Sequence, residues 1–156
     1  MKEVNKKPNP KLIYLDVCAL CRPFDDQSYL RIRMETEAIN LILSKVKEDL
    51  YRLTVSPVHI KEIEAIKNKV EQIQLITLLN KYGKTAKVNL KEVRKRAEEL
   101  VNLGFGVADA AHVAFAEMVR AEFISCDKRL VKKCIRHKIK VWCGTPLDFC
   151  EKEDLK

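Results

Sequence analysis

Short apolar segments that run directly into an acidic residue alternate with helical segments along this chain, and this alternation constrains the fold most strongly. Leu12 to Leu15 lead into Asp16, and residues 123–126 lead into Asp127. Continuous apolar runs of this length are typical of strands buried on both faces of a parallel sheet. Strands that alternate with helices predict a mostly parallel central sheet covered by helices, which is a three-layer α/β/α sandwich.

Apolar periodicity, together with the positions of Ser, Pro and Gly, predicts the individual elements. We expect strands at 12–15, 51–55, 85–89, 122–126 and 139–142. We expect helices at 28–49, 57–66, 70–82, 90–103, 107–120 and 128–137, and a terminal helix that starts at Thr145-Pro146. One domain is expected to cover residues 1–156, with residues 1–11 as a polar N-terminal extension.

The composition favours a folded protein that binds a polyanion. At 156 residues and 47% hydrophobic content, the chain has enough apolar material for one sizeable core, which excludes a disordered filament. Its formal net charge of +8 favours a nucleic acid over a membrane as partner, because no cationic amphipathic helix or lipidation signal stands out. A solvated lysine-rich surface would explain the same charge.

The N-terminus and the cysteines indicate an intracellular environment. Residues 1–11 lack the apolar run of a signal peptide, and no segment approaches the roughly 20 apolar residues of a membrane span. We therefore expect a soluble cytoplasmic protein whose six cysteines are reduced. Cys18 and Cys21 form the only closely spaced pair, so a structural zinc site lacks its second pair. Thiol-redox chemistry at this C-x-x-C remains an alternative.

Three acids occupy positions where they can meet in space. Asp16 and Asp127 follow predicted strands, and Asp109 opens a predicted helix. The carboxyl ends of parallel strands share one rim, which is where ligands bind in open α/β sheets. Each acid alone is more readily explained as a helix cap. Three of them in this topology favour a shared site for a divalent cation and a phosphate substrate.

Four segments, in this order, resemble the PIN domain, which is the nuclease fold of the VapC-type toxins. The similarity runs from about Ile13 to Phe149. The segments are Tyr14-Leu-Asp16-Val-Cys-Ala-Leu20, Ser56-Pro-Val-His-Ile-Lys-Glu62, Val107-Ala-Asp109-Ala-Ala-His112-Val-Ala114 and Ile124-Ser-Cys-Asp127-Lys-Arg-Leu130. No segment is specific by itself, and the resemblance rests on their order and separation.

The resemblance implies the roles of individual residues. It assigns catalysis and the binding of Mg²⁺ or Mn²⁺ to four carboxylates, which are Asp16, Glu62, Asp109 and Asp127. Ser125 would support the site, where the family often has a small hydroxyl residue. Cys18 stands where the family frequently has Asn or Ser, and a thiol is a poor magnesium ligand. Glu64 on the same helix as Glu62, and Glu35 and Glu37 on the long helix, are competing acids.

The resemblance also implies the activity and the partners. The expected function is an endoribonuclease that leaves 5′-phosphate and 3′-hydroxyl ends, and that serves as the toxin of a toxin-antitoxin pair. A small antitoxin and a homodimer would then be the protein partners, and RNA the substrate. The alternative is an RNA-binding PIN module without turnover, in which the basic faces matter and the acids do not.

Two further groups of residues have competing interpretations. His112, one turn after Asp109, is interpreted as a locally hydrogen-bonded core or supporting histidine rather than a general base, because metal-activated water needs no imidazole. Basic residues directly after Asp127 are candidates for binding RNA phosphates, although a solvated helix face fits them too. They are Lys128, Arg129, Lys132, Lys133 and Arg136. Both interpretations apply equally to Arg22, Arg31 and Arg33.

Overall fold

A computed structural model describes residues 9–156 as helices packed on both faces of one sheet. The strands are β1 (Lys11–Leu15), β2 (Tyr51–Val55), β3 (Gly83–Thr85), β4 (Glu122–Ile124) and β5 (Cys143–Gly144). The helices are α1 (Val17–Cys21), α2 (Leu30–Lys47), α3 (Pro57–Glu64), α4 (Lys69–Tyr82), α5 (Leu90–Asn102), α6 (Val107–Val119), α7 (Lys128–Arg136) and α8 (Pro146–Lys152). A short 3-10 helix at Arg22–Phe24 follows α1.

The sheet is parallel throughout, in the strand order β3-β2-β1-β4-β5. The predicted three-layer α/β/α sandwich is therefore confirmed. The chain builds one half of the sheet outward from β1 to β3 and then returns to place β4 on the other side of β1. The carboxyl ends of β1 and β4 consequently lie side by side at the point where the strand order reverses, which is the usual place for a ligand in this class of sheet.

The central strand β1 is buried on both faces, as its apolar sequence predicts. Ile13 and Leu15 pack into one core with α2, α4 and α8, whereas Tyr14 packs into the other core with α6 and Phe123. All three β1 residues have no exposed surface. Fully burying one such apolar side chain contributes about 1.5–3 kcal/mol. The backbone of β1 is therefore a rigid base for the residue that follows it, Asp16.

Most predicted helices begin and end within two residues of the observed bounds, whereas the two edge strands differ from prediction. The third strand was predicted at 85–89 and is observed at Gly83–Thr85. Gly83 ends α4 and starts β3 at once. A β-carbon there would collide with the side chain of Val55 and lie 2.5 Å from the carbonyl oxygen of Leu79. The turn from helix to strand is this tight only because the residue is glycine.

The last strand was predicted at 139–142 and is observed at Cys143–Gly144. The apolar residues Ile139 and Val141 pack against the α6 side of the core from an irregular segment. Only near Trp142 does the chain reach the sheet, where its carbonyl accepts a hydrogen bond from the Phe123 amide at 2.8 Å. The apolar residues at 139–142 therefore predicted correctly that this segment packs against the core, but they predicted strand pairing at the wrong residues.

The predicted N-terminal extension at 1–11 falls largely outside the described residues, which begin at Asn9, and Lys11 already belongs to β1. None of the helices within residues 9–156 has the length and apolar character needed to cross a membrane.

Candidate active site

Asp16 lies directly after the buried strand β1 and is itself 4% exposed. Its carboxylate accepts a hydrogen bond from the amide of Ala19 at 2.9 Å, so it caps α1. Burial raises the pKa of Asp16 to about 6, and hydrogen bonds from Ser125 and Ala19 oppose that shift. Asp16 therefore caps a helix, as predicted. Capping alone does not explain why its carboxylate is buried, because a helix cap can be exposed to solvent.

Ser125 and Asp127 form the neighbouring part of the rim, after β4. The amide of Asp127 donates to the Ser125 hydroxyl oxygen at 3.0 Å, and Ser125 is fully buried. The Asp127 carboxylate accepts from the amides of Arg129 at 3.0 Å and Leu130 at 3.2 Å, which caps α7. Ser125 thus contacts Asp127, and its hydroxyl also lowers the pKa of Asp16. Its supporting role at the site stays a prediction.

Asp109 is the acid on which the charges of the site converge. It lies in the first turn of α6 and is partly buried. Burial raises its pKa, and the negative charges of Asp127 and Glu62 raise it further, whereas Lys133 lowers it. Asp109 in turn contributes to the raised pKa of Asp16. These interactions place Asp109 near Asp127, Glu62 and Asp16, so the four predicted acids face one rim.

Glu62 enters the rim from α3 and is held by a histidine. His112 Nε2 on α6 forms a short contact with Oε1 of Glu62. This hydrogen bond is the main cause of the lowered pKa of Glu62. His112 is 2% exposed, so its predicted burial is confirmed, although its partners Tyr14 and Glu62 are distant in sequence rather than local.

The donor set of this rim fits a hard divalent cation. The four side chains offer only carboxylate oxygens, which are the ligands that Mg²⁺ and Mn²⁺ prefer. Burial, followed by the negative charges of Asp127 and Glu62, raises the pKa of Asp109, and a bound cation would oppose that shift. Within residues 9–156, no three Asp, Glu, His or Cys side chains are already arranged so that they could hold a metal ion.

The cysteines near the rim are not activated thiols. All six cysteines of the chain are free. Desolvation, followed by the negative charge of Asp16, raises the pKa of Cys18 to about 12. Burial also raises the pKa of Cys21 to about 12. Redox-active C-x-x-C pairs need a lowered thiol pKa, so these values argue against the thiol-redox alternative.

The structure separates the predicted Glu62 from its competitors. Glu64 and Glu37 are exposed. Glu35 is buried, but its Oε1 lies 2.8 Å from Arg31 Nε and 3.4 Å from Arg22 Nη2. Glu35 therefore forms salt bridges with two guanidinium groups and is not one of the acids at the rim.

The predicted RNA-binding residues project from the first two turns of α7, beside the acids. Lys128, Arg129 and Lys132 are exposed. Lys133 Nζ donates to the carbonyl of Gly104 at 2.8 Å, and its charge lowers the pKa of Asp109. Arg31 Nη2, by contrast, donates to the carbonyl of Cys126 at 2.9 Å, which fixes α2 against the loop that carries Asp127. A positioning role thus accounts for Arg31.

Sequence reasoning missed a buried polar cluster beneath Glu62. Tyr14 was interpreted only as a strand residue and Ser56 only as a helix cap, yet their hydroxyl oxygens are 2.7 Å apart. His59 Nδ1 lies 3.0 Å from the Ser56 amide nitrogen. The available signal was the number of polar residues in apolar segments, because buried polar groups need partners.

Comparison with known proteins supports the fold. The chain is similar to the crystal structure of FitAcB from Neisseria gonorrhoeae, with 15% identity and a TM-score of 0.52, over 86% of this chain and 98% of that chain. It is also similar to the structure of FitAB bound to an IR36 DNA fragment, with 16% identity and a TM-score of 0.51, over 86% of this chain and 94% of that chain. FitB has a PIN domain, so the expected PIN-like fold is confirmed.

No protein-family model matches the sequence, and a comparison with curated proteins also finds no match.

Proposed function

We propose that this protein is an endoribonuclease that depends on Mg²⁺ or Mn²⁺ and hydrolyses RNA at the rim formed by Asp16, Glu62, Asp109 and Asp127. One observation carries the proposal: four carboxylates from separate elements face the same rim, where the strand order of a parallel sheet reverses, and the charges of Asp127 and Glu62 act on Asp109 as that of Asp109 acts on Asp16. Grouping like charges in this way is unfavourable in a metal-free protein. A cation-dependent function explains why they are grouped.

The residues of the rim would divide the work between holding the ion and holding the RNA. The four carboxylates would hold one or two ions, which when bound make the attacking water more acidic and stabilise the leaving oxygen. Asp16 and Asp127 are fixed by backbone amides before any ion binds, so little side-chain freedom is lost on binding. Lys128, Arg129, Lys132 and Lys133 would bind RNA phosphates beside the acids and contribute affinity without reading the base sequence.

The decisive experiment compares RNA cleavage by the wild type with that by Asp16→Asn and Asp127→Asn. Asn caps helices about as well as Asp, so both variants should fold and lose only the charged ligand. Structured and unstructured RNA are incubated with Mn²⁺ or Mg²⁺, and in parallel with a chelator. We expect metal-dependent cleavage by the wild type alone. Metal-dependent cleavage that survives in both variants would overturn the proposal.

A matched pair on α3 tests the fourth acid. Glu62→Gln removes the carboxylate held by His112, whereas Glu64→Gln removes an exposed carboxylate two residues away. We expect cleavage to fall only in Glu62→Gln. If the wild type binds RNA in a salt-sensitive manner without cleaving it, the RNA-binding module without turnover becomes the better assignment.

We further propose that the protein is the toxin of a toxin-antitoxin pair, because its fold is similar to that of the FitAB complexes. An antitoxin would then be its protein partner. Induced expression in a bacterial host tests this: the wild type should arrest growth, and Asp16→Asn at the same protein level should not. Equal growth of the two cultures would contradict the toxin assignment and leave the nuclease assignment standing.

A further inference from the structure

A continuous chain of buried hydrogen bonds ends on the Glu62 carboxylate. It starts at the Ser56 hydroxyl, which lies 2.7 Å from the Tyr14 hydroxyl. Tyr14 Oη lies 2.5 Å from Nδ1 of His112, and Nε2 of the same ring contacts Glu62. Ser56, Tyr14 and His112 are each at most 2% exposed. We call these four residues the relay.

The chemistry of the neighbouring His59 fixes one end of the relay. Nε2 of His59 lies 2.7 Å from the carbonyl oxygen of Leu15, so this nitrogen must carry the hydrogen. Its Nδ1 then accepts the hydrogen bond from the Ser56 amide. Burial lowers the pKa of His59 to about 4, in keeping with a neutral ring. The backbone of Ser56 is thereby held beside Tyr14.

The Glu62 carboxylate fixes the direction at the other end. An ionised carboxylate only accepts hydrogen bonds, so His112 must donate from Nε2. In a ring that carries its single hydrogen on Nε2, Nδ1 accepts, and the Tyr14 hydroxyl donates to it. The Tyr14 oxygen can in turn accept from the Ser56 hydroxyl. With these assignments the Tyr14 and His112 hydrogens both point toward Glu62. The Ser56 hydroxyl lies closer to Tyr14 Oη, at 2.7 Å, than to its other possible acceptor, Nδ1 of His59, at 3.3 Å.

The relay joins the elements that carry three of the four acids. Tyr14 is two residues before Asp16 on β1, His112 is three residues after Asp109 on α6, and Ser56 immediately precedes α3, which carries Glu62. Within residues 9–156, the relay engages only Oε1 of Glu62. The carboxylate is therefore oriented by one oxygen while the other is left for a ligand.

We propose that Tyr14 and His112 are positioning residues that hold Glu62 in the orientation needed to bind a divalent ion together with the aspartates. This inference rests on the proposed metal-dependent function and deepens it. Partners that hydrogen-bond a ligating carboxylate restrict its rotation, and their loss typically lowers metal affinity by about 10–100-fold.

Tyr14→Phe tests the relay by removing one hydroxyl and nothing else. The matched control is Tyr51→Phe, because Tyr51 is also a buried tyrosine whose hydroxyl donates to a glutamate, Glu153, at 3.3 Å, but on β2 away from the acids. Calorimetric titration of the RNA-free protein with MnCl₂ measures affinity directly. We expect binding about 10-fold weaker in Tyr14→Phe and unchanged in Tyr51→Phe.

Cleavage assays at several Mn²⁺ concentrations provide a second measurement. Because the relay is proposed to act on ion affinity, Tyr14→Phe should need more Mn²⁺ for half-maximal cleavage while approaching the maximal rate of the wild type. Mn²⁺ affinity equal to that of the wild type would overturn the relay and leave the nuclease proposal intact. Unimpaired cleavage by Asp16→Asn would instead overturn the nuclease proposal, and the relay with it.

The position of one hydrogen keeps the inference testable if Tyr14→Phe does not fold. Nitrogen-15 NMR of the wild-type protein reports which imidazole nitrogens carry hydrogen. The relay requires hydrogen on Nε2 of His112 and of His59. A His112 ring without hydrogen on Nε2 cannot donate to Glu62 and would overturn the inference.

Discussion

Buried acids at the two ends of the sheet differ in whether a positively charged side chain is paired with them. At the end where β4 begins, Glu117 is 7% exposed and receives hydrogen bonds from Arg96 Nε at 2.6 Å, Arg96 Nη2 at 3.1 Å and the Lys140 amide at 2.8 Å. At the carboxyl end, Asp16 is buried to a similar degree, but the negative charge of Asp109 acts on it. Within residues 9–156, neither Asp16, Asp109 nor Asp127 forms a salt bridge.

This difference separates acids that are paired with protein cations from the three rim aspartates, which bind an ion in the proposed function. At the end where β4 begins, Lys11 Nζ likewise lies 2.8 Å from Oε1 of Glu153, so the acids there are paired with cationic side chains of the protein. The rim has abundant lysine and arginine nearby on α7, yet its buried acid is not neutralised by any of them. In a chain with net charge +8, the lack of a salt bridge at the three rim aspartates is what the proposed binding of a cation from solution would explain.

The largest expected effect comes from removing the acid at the centre of the rim. Asp109→Asn should reduce RNA cleavage by about 1000-fold or more, because the ion supplies several kcal/mol of transition-state stabilisation. Glu117→Gln, on the same helix, should leave cleavage per folded molecule unchanged. Rate measurements on both proteins, scaled to their folded fractions, check this. An equal loss of cleavage in the two variants would contradict the proposed difference between the acids of the rim and Glu117.

The same pair should behave in reverse when stability is measured. Glu117→Gln leaves the Arg96 guanidinium without its charged partner, which should lower the free energy of unfolding by about 3 kcal/mol. Glu99→Gln is the control, since Glu99 binds the same arginine at 3.1 Å but is half exposed, and it should change the free energy by less than about 1 kcal/mol. Urea unfolding at neutral pH distinguishes the two. Similar values for both would contradict the assignment of Glu117 to the fold.

The pH dependence of stability sharpens the contrast for Asp16. Its folded pKa of about 6 lies above its ordinary value of 3.8, so between these values the folded protein holds a proton that the unfolded chain has released. Stability from this group is therefore present at low pH and is lost as the pH rises through about 6. The loss is about 3 kcal/mol.

Metal-free Asp16→Asn should accordingly be more stable than the metal-free wild type at pH 7.5, and the gap should close toward pH 4. Urea unfolding in chelator across this range measures the gap, and added Mn²⁺ should narrow it by stabilising the wild type. A gap that does not change with pH would show that burial does not perturb Asp16 as described.

The smallest expected effect concerns the basic face of α7. In the Asp16→Asn background, replacing both Lys128 and Lys132 by Ala should weaken RNA binding and reduce the slope of log affinity against log salt by about 1.4. The control replaces Lys91 and Lys95, exposed residues in the half of α5 that packs beside the far end of α6. Equal slopes for the two double variants would assign Lys128 and Lys132 to a solvated surface.

What the sequence predicted correctly was local. Asp16 and Asp127 follow apolar runs and cap helices, and Asp109 lies in a first helical turn, so short patterns sufficed to place them on one rim. Glu62 could not be separated from Glu64 on such grounds. What distinguishes them is contact with His112, which is 50 residues away in the chain.

The edge strands and the relay show more clearly what the sequence patterns could not predict. The shift of β3 depends on the space around Gly83, and the shift of β5 on where an apolar segment first meets the sheet. The Tyr14 and His112 contact spans 98 residues. Periodicity reports which face of an element is buried, but not which polar groups find one another inside.

The shortness of the outer strands has a consequence for assembly. β3 has three residues and β5 has two, so the unpaired backbone groups along either border of the sheet are few. Long bare borders attract other chains by strand addition, and short ones do not. Any second protein, whether another copy or an antitoxin, should therefore attach through side chains on the helices. Selectivity in such contacts comes from shape and charge rather than from a backbone pattern that every polypeptide shares.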